Sequence, residues 1–546
     1  MGIFLHTVIF LQVFTLIINA YYLPEIQFGV GEGDPGKCIR CSWGKEEFFT
    51  VPIDHFAYTD ARTFKLRYFI NVTHFVPNGP IFFYTGGEAT IMRYLDRMGF
   101  VWDIAKEFGA AIVFAEHRFF GKSHAEGSNI SVKTLGYLTA EQGLADYAML
   151  ITHLKQVVEP TSCQKIPVIA FGGSYAGFMT AWMRVKYPHI IDGGVASSAP
   201  IHSFINAEGY ESSSLNRLTG RALERSGCNL EKIHASYEAI YKLSRTDKGR
   251  AFLNKALRLN QTESLLQTSK DGDELLLMLQ YGMQDMTMFN FPYPVKFPAW
   301  PLKEFCKSFV LRDNQSLEEN ATAIVSQLQV YYNASGEDQS FCLDFLVLHR
   351  NGSKCMQQRS PFDPFLKDCP YSIEKRINDC EKKLGHLGYD RKFYRPNWVV
   401  VNYGLTYPTA TNIVFSNGDL DPWSGGGWST KNVTKGSLVS LIVKDGAHNY
   451  GDLHHNMDNR FAPFIKNAFI NVLNHRETNF ILTVFAVLFT TYLALIGILD
   501  RNLFHPLRLD NIQQPNGSYF KPLTIPRSWS WAKSNIQWQG WIHWIF

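Results

Sequence analysis

Charge is scarce in this chain. Asp, Glu, Lys and Arg make up 19% of its 546 residues, and 53 basic against 49 acidic side chains leave a formal net charge of +4. No basic block appears, so nothing points to nucleic acid or an acidic polymer as a partner. No internal repeat is apparent. Only one C-x-x-C pair occurs, Cys38 and Cys41. No second pair follows it and no βαβ pattern surrounds it, so a local disulfide is expected there rather than a zinc or redox site. Acidic residues are missing from the first 20 positions, and Gly2 to Ala20 is apolar. That stretch, ending in Ile18-Asn19-Ala20, reads as a secretory signal peptide over residues 1–20, although its start lacks Lys and Arg. A retained anchor is the alternative. Charge is also absent from residues 480–499, a run of 20 that is long enough to span a bilayer. With a cleaved signal before it, the body of the chain is lumenal or extracellular and the tail after 500 is cytosolic.

What is present fits a secreted globular body. The hydrophobic fraction of 46% supports a large core, and the length suits two or three domains. Eight Asn-x-Ser/Thr sequons stand at Asn71, Asn129, Asn260, Asn314, Asn320, Asn333, Asn351 and Asn432. Four of them crowd residues 314–351, which marks an exposed surface. The nine cysteines are Cys38, Cys41, Cys163, Cys228, Cys306, Cys342, Cys355, Cys369 and Cys380. In a secreted chain most pair, and the odd count leaves at least one free or intermolecular; Cys163 is the candidate. The tail carries Trp529, Trp531, Trp538, Trp541 and Trp544 in its last 18 residues, either an interfacial segment or a stretch without function.

The chain is organised around Phe171-Gly172-Gly173-Ser174-Tyr175-Ala176-Gly177. The apolar run Ile166 to Phe171 reads as a buried strand and Phe178 to Tyr187 as a helix. A strand turning sharply into a helix at a serine is a nucleophile elbow. The turn strains the serine, so its neighbours must be small. It also aims the helix N-terminus at the hydroxyl, where backbone N–H groups can hold an oxyanion. Ala176 departs from the usual glycine but stays small.

Further strands are expected at 48–51, 64–71, 80–84, 110–115 and within 193–200, the last ending in a turn, with a helix over 141–158. This alternation argues a parallel, doubly wound sheet. Thr85-Gly86-Gly87-Glu88 follows the third of these strands, where an oxyanion donor is expected near Gly87. From about 204 to 395 the sequence turns polar and bears sequons and cysteines, with helical segments such as 231–243 and 271–281. It reads as an inserted, mainly helical domain. Strands return at 412–416 and 437–443. The hydrolase body is then 46–203 plus 396–476.

A nucleophilic serine needs a base, and the base a carboxylate. Asp419 and Asp421 both follow the strand at 412–416. His448 comes first after the strand at 437–443, with His454 and His455 as competitors. The order Ser, Asp, His, each at a strand end, suits an α/β-hydrolase.

The sequence closely resembles the serine carboxypeptidase family that contains lysosomal Pro-X carboxypeptidase, dipeptidyl peptidase II and the thymus-specific serine protease. The resemblance is carried by Pro52-Ile53-Asp54-His55-Phe56, Tyr84-Thr85-Gly86-Gly87-Glu88, Glu116-His117-Arg118-Phe119-Phe120-Gly121 and Thr139-Ala140-Glu141-Gln142. It continues through Gly172 to Gly177, Ala196-Ser197-Ser198-Ala199-Pro200, Asp419-Leu420-Asp421-Pro422-Trp423 and Gly446-Ala447-His448. It implies an α/β-hydrolase fold with a helical cap over 204–395, and a triad of Ser174, Asp421 and His448. Tyr175 and Gly87 would form the oxyanion hole. Trp423 would line the pocket for the residue before the scissile bond, and Cys228 and Cys306 would pair. The implied activity is a prolyl-preferring exopeptidase acting on peptides, with no metal or organic cofactor. Carboxypeptidase and dipeptidyl-peptidase readings both stand. The first needs a positive group for a substrate carboxylate; the second needs a carboxylate for an amine, with Glu88 and Glu116 as candidates. A homodimer is left open, as is a membrane-anchored body in the lysosome or at the cell surface. The family usually has a second histidine where Asn449 sits. An inactive receptor ectodomain is the rival from another class. An esterase or lipase is disfavoured, because no His-Gly-Gly-Gly loop occurs.

Overall fold

The computed structural model describes residues 43–450, except 96, 125–135, 159–165, 204–213, 260–264, 295–296, 310–314, 333–372, 396, 405–406, 408–409 and 429–436. The chain divides into two compact units, 1–476 and 477–546, and every described residue lies in the first. The expected signal peptide, the apolar run at 480–499 and the Trp-rich tail therefore lie outside the described residues. So do Cys38, Cys41, Cys163, Cys342, Cys355 and Cys369, and every sequon except Asn71 and Asn320. Among the described residues no helix is long and apolar enough to cross a membrane.

Eight strands form one sheet: β1 (Lys45–Pro52), β2 (Thr63–Asn71), β3 (Ile81–Thr85), β4 (Ala111–Ala115), β5 (Val168–Gly173), β6 (Gly193–Ser197), β7 (Ile413–Gly418) and β8 (Leu438–Val443). Their order is β1-β2-β4-β3-β5-β6-β7-β8. The parallel sheet expected from the alternation holds from β4 to β8, but β1, β2 and β4 pair antiparallel. The reason is the connection. Ten residues join β1 to β2, with Ile53 N–H donating to Arg62 O at 2.9 Å, and no crossover helix intervenes. With its order and hand of pairing, the sheet is that of an α/β-hydrolase.

The inner strands read as continuous apolar runs because both faces are covered. On β3, Ile81 and Phe83 face one core cluster and Phe82 and Tyr84 the other. Helices α3 (Ala140–Val158) and α4 (Tyr175–Lys186) cover the first face through Leu144, Ile151, Met179 and Trp182. Short helices α1 (Ile91–Leu95) and α2 (Phe100–Phe108) cover the second through Ile91, Leu95, Phe100 and Ile104. Because β4 and β5 leave β3 on opposite sides, a crevice opens at the carboxyl ends of β3 and β5. Glu88 follows one strand and Ser174 the other.

Between β6 and β7 every described element is helical: α5 (Ser214–Arg225), α6 (Leu230–Ser244), α7 (Asp247–Ala256), α8 (Ser269–Met288), α9 (Pro301–Cys306), α10 (Leu317–Ala323), α11 (Val325–Tyr332), α12 (Ile373–Leu384) and α13 (Trp398–Tyr403). Local chemistry starts these helices. Asn229 caps α6 by accepting from Lys232 N–H, and Thr268 with Asp271 forms a capping box on α8. Helices α5 to α11 share their own core, including Leu223, Tyr237, Ile240, Leu279 and Phe305. Cys228 and Cys306 form a disulfide across it, with Cα atoms 4.7 Å apart.

Three of the quoted motifs meet in one buried ion network beside α3. Asp146 takes Arg118 Nε and Nη2 at 2.7 Å each and His55 Nε2 at 2.7 Å. Arg118 also donates to the carbonyls of Ile53 and Pro52, and Gln142 joins His55 N–H to Asp54. These residues hold the start of the sheet onto α3 and touch no substrate cleft. Removing one partner leaves a buried charge uncompensated, which costs about 3–5 kcal/mol. Asp146→Ala is therefore expected to lower the unfolding free energy in urea by that amount, and a loss under 1 kcal/mol would contradict the network's role.

Candidate active site

Ser174 stands between the end of β5 and the start of α4, with φ 58° and ψ −125°. Such backbone is costly for a non-glycine residue and survives only where neighbours over-determine it. Here they do. A Cβ on Gly172 would stand 2.3 Å from Ala176 O, and one on Gly177 would stand 2.9 Å from both Ala199 Cβ and Ser197 O. Beneath the turn, fully buried Thr85 lies 3.1 Å from Phe171 O, 2.8 Å from Ala176 O and 2.9 Å from Thr180 Oγ1. Ser174 N–H donates to Ser197 O at 2.9 Å, tying the elbow to β6.

The structure separates the two competing aspartates. Asp421 is fully buried and lies 3.0 and 2.9 Å from His448 Nδ1 through its two carboxylate oxygens. It also accepts Trp423 N–H at 2.9 Å. An acceptor-only carboxylate on Nδ1 makes that nitrogen the donor and leaves Nε2 as the basic atom. Nε2 is buried and has no hydrogen-bond partner among the described residues. Asp419 instead accepts Asp445 N–H and Arg221. The His448 loop lies against the elbow. Asn449 N–H donates to Ser198 Oγ at 2.8 Å, and the Asn449 side chain would lie 2.8 Å from a Cβ on Gly173. His454 and His455 lie outside the described residues.

Of the two expected oxyanion donors, Tyr175 opens α4, where the first N–H groups have no intrahelical acceptor. At Gly87 the backbone packs directly against the Tyr94 hydroxyl, and a Cβ there would lie 2.4 Å from that oxygen. A cleft of about 610 Å³ opens over Ser174. Tyr175, Phe178, Trp398, Tyr403 and Trp423 supply aromatic walls, and Glu88 and Glu141 are its only charged lining side chains among the described residues.

The two glutamates proposed as amine holders part company. Glu116 is buried and spoken for by Ile91 N–H, Lys122 N–H and the Ser123 hydroxyl. Glu88 lines the cleft. Its surface is open to solvent, yet the cleft walls desolvate it and raise its carboxyl above the ordinary range, against the pull of its own backbone N–H, His448 and Arg93. Glu141 was not singled out by sequence reasoning. Its Oε1 accepts Trp398 Nε1 at 2.7 Å and the Tyr403 hydroxyl at 3.1 Å, from a helix, α13, too short to show a period. Behind the elbow, the Tyr175 hydroxyl lies 3.3 Å from His117 Nε2, and His117 Nδ1 lies 2.9 Å from Arg118 O.

The family model described as Serine carboxypeptidase S28 matches residues 51–368 and 355–460. A prolyl carboxy peptidase like protein 5 from Caenorhabditis elegans is 36% identical over 478 residues, which span 81% of this chain and 92% of that protein. The lysosomal Pro-X carboxypeptidase of Homo sapiens is 36% identical over 422 residues, 73% of this chain and 82% of that one. The thymus-specific serine protease of Mus musculus is 27% identical over 428 residues, 72% and 79% of the two chains.

Full burial pushes the His117 pKa down to about 4, outweighing the Arg118 carbonyl and Asp146, which favour the cation. A lowered histidine pKa means that the folded state gains from neutrality above the unfolded value, and that the gain is lost as pH falls towards 4. Ring-nitrogen NMR of His117 is expected to show a neutral Nδ1–H tautomer from pH 8 down to 5. A protonation midpoint near 6.5 would overturn this placement.

Proposed function

The chain belongs to the serine carboxypeptidase S28 family and is a serine peptidase, and from that premise we propose that Ser174, Asp421 and His448 form the triad of an exopeptidase cleaving peptides at prolyl bonds. The observation that carries this reading is the buried Asp421–His448 pair, whose Nε2 has no partner among the described residues, together with the strained Ser174 elbow. His448 takes the Ser174 proton as the hydroxyl attacks the scissile carbonyl. Asp421 holds the tautomer and stabilises the imidazolium, which then protonates the leaving amine. Tyr175 N–H, with a donor from the Gly87 region, receives the oxyanion. Water returns the acyl-enzyme to acid and free serine. Trp423, held by Asp421 through its own N–H, offers an apolar face to the ring of a proline.

The relatives named for Pro-X carboxypeptidase activity support release of a C-terminal residue. One observation favours a second reading, a dipeptidyl peptidase: both charged groups on the described cleft wall are carboxylates, which suit a substrate amine. The helical segment 204–395 is read as a cap over the cleft. The body is placed in the secretory pathway or lysosome, with 480–499 as its membrane anchor.

Ser174→Ala is expected to fold and to lose turnover by about 10⁵–10⁶-fold. A fluorophosphonate probe should label Ser174 alone in the wild type. Prolyl peptides blocked at one end or the other decide between the two exopeptidases: cleavage that survives N-terminal blocking and fails with C-terminal amidation supports the carboxypeptidase.

Glu88 gives a pH signature with a sign. Its raised carboxyl gives up its charge sooner on acidification than an ordinary glutamate does. For a carboxypeptidase, KM should then fall with falling pH as repulsion of the substrate carboxylate is removed; for a dipeptidyl peptidase KM should rise. Glu88→Gln is expected to abolish the trend in either case, and a trend that persists would remove Glu88 from substrate binding.

A further inference from the structure

Asp419 stands two residues before Asp421 and makes contacts of a different kind. Its Oδ1 accepts Asp445 N–H at 2.5 Å, and its own N–H donates to Val443 O at 3.0 Å. Leu420 N–H donates to Gly446 O at 3.1 Å, so three hydrogen bonds join the loop after β7 to the loop after β8. Gly418 allows this approach, since a Cβ there would lie 2.1 Å from Gly446 O. Asp421 lies just beyond one side of this joint and His448 just beyond the other. The other carboxylate oxygen, Oδ2, accepts Arg221 Nη2 at 3.3 Å, and Arg225 Nη2 lies 3.7 Å from Asp445 Oδ1. Arg221 and Arg225 are one turn apart on α5, hence on one face of the helix. Leu420, between the two aspartates, is buried in the core of the inserted helices.

We propose that Asp419 is a positioning residue: it locks the Asp421 loop to the His448 loop, and Arg221 and Arg225 fasten that lock to α5, so the inserted helices set the geometry of the acid–base pair. This rests on the triad reading above. The groups facing Asp419 are Arg221, Arg225 and Asp445. Burial raises its carboxyl, and the Asp445 N–H and the two guanidinium groups pull it back. The arginines are half exposed, so each ion pair adds little to stability and its removal should leave the fold intact. A small misplacement of a base, by contrast, costs rate steeply; about 1 Å can cost on the order of 100-fold.

The test uses the full chain and four variants. Asp419→Ala removes both contacts, Asp419→Asn keeps an acceptor for Asp445 N–H and loses the charge, Arg221→Ala removes the tie to α5, and the double variant Asp419→Ala with Arg221→Ala completes a cycle. Asp419→Ala is expected to lower kcat about 10- to 100-fold with KM within about twofold. Asp419→Asn and Arg221→Ala should each lower it by less. The double variant should be no worse than Asp419→Ala, because both act through one chain of contacts. The acid limb of the kcat profile should move to lower pH, because a loosened Asp421 stabilises the imidazolium less. Hydrogen exchange should quicken at 444–448 in Asp419→Ala. If that variant folds with wild-type kcat, pH limb and exchange, the proposal is overturned. If it does not fold, wild-type kcat, pH limb and exchange at 444–448 in both Asp419→Asn and Arg221→Ala overturn it. Wild-type turnover and Ser174 labelling are measured first. Their failure would sink the triad, while the exchange comparison still decides the lock.

Discussion

Crowding at the elbow is the constraint on which the rest depends. A serine held at φ 58° costs roughly 1–3 kcal/mol, and the surrounding atoms must leave it no alternative. Backbone atoms approach so closely at Gly172 and Gly177 that neither position has room for a side chain. Thr85, from the end of β3, bonds both the last residues of β5 and the first turn of α4, so two strands and a helix share one hydroxyl. The apolar faces of β3, β4 and β5, buried on both sides, supply the rigidity that keeps this cluster in place. Ala176 in place of glycine is accommodated opposite Gly87. Even a Cβ at position 87 would stand 3.5 Å from the Ala176 Cβ, an ordinary contact, so the alanine is not crowded from that side.

A second consequence concerns the inserted helices. Met288 ends α8, and its orphan carbonyl accepts His448 N–H at 3.2 Å, while its sulfur accepts Trp423 Nε1 at 3.1 Å. The last carbonyls of a helix must find donors outside it, and here the loop bearing His448 supplies one. Phe291, just beyond α8, packs with Val443, Ala447 and Tyr450 around the base of the His448 loop. Leu420 is driven into the insertion's core. The loops bearing Asp421 and His448 are thus the joint between sheet and helices, and neither side can move without them. A lid hinged freely over the cleft would lack such shared contacts.

Much of this was legible in the residues. The buried strands are legible as short apolar runs, of which β5, β6 and β7 end in glycine or serine, and the elbow is visible because strain demands small neighbours in a fixed order. The antiparallel start of the sheet was not, because strand direction depends on connection length and β1 and β2 carry no signal of their own beyond their pattern. Strand position alone leaves Asp419 and Asp421 open, since both follow the same strand; the family resemblance points to Asp421, and the position of His448 Nδ1 separates the two in space. His55, Arg118 and Gln142 could be read as family motifs but not as one ion network, because Asp146 reaches partners 28 and 91 residues away. Glu141 escaped notice for the same reason: its partners Trp398 and Tyr403 are 257 and 262 residues distant.

Among the described residues nothing bonds His448 Nε2, and on the triad proposed above this bears on how the site treats its substrate. Asp421 has both oxygens committed to the imidazole and one also to Trp423 N–H, so the ring cannot turn to satisfy its other nitrogen. A buried polar atom without a partner costs about 1–3 kcal/mol. In the mechanism proposed above, that cost is relieved when a proton and a partner reach Nε2, as in the transfer from Ser174 and the later delivery to a leaving amine. An interaction missing from the ground state and made in the transition state lowers the barrier, whereas one made equally in both only tightens binding. By this argument the nitrogen left without a partner among the described residues, like the strained serine, is a cost set in the fold and recovered along the proposed reaction.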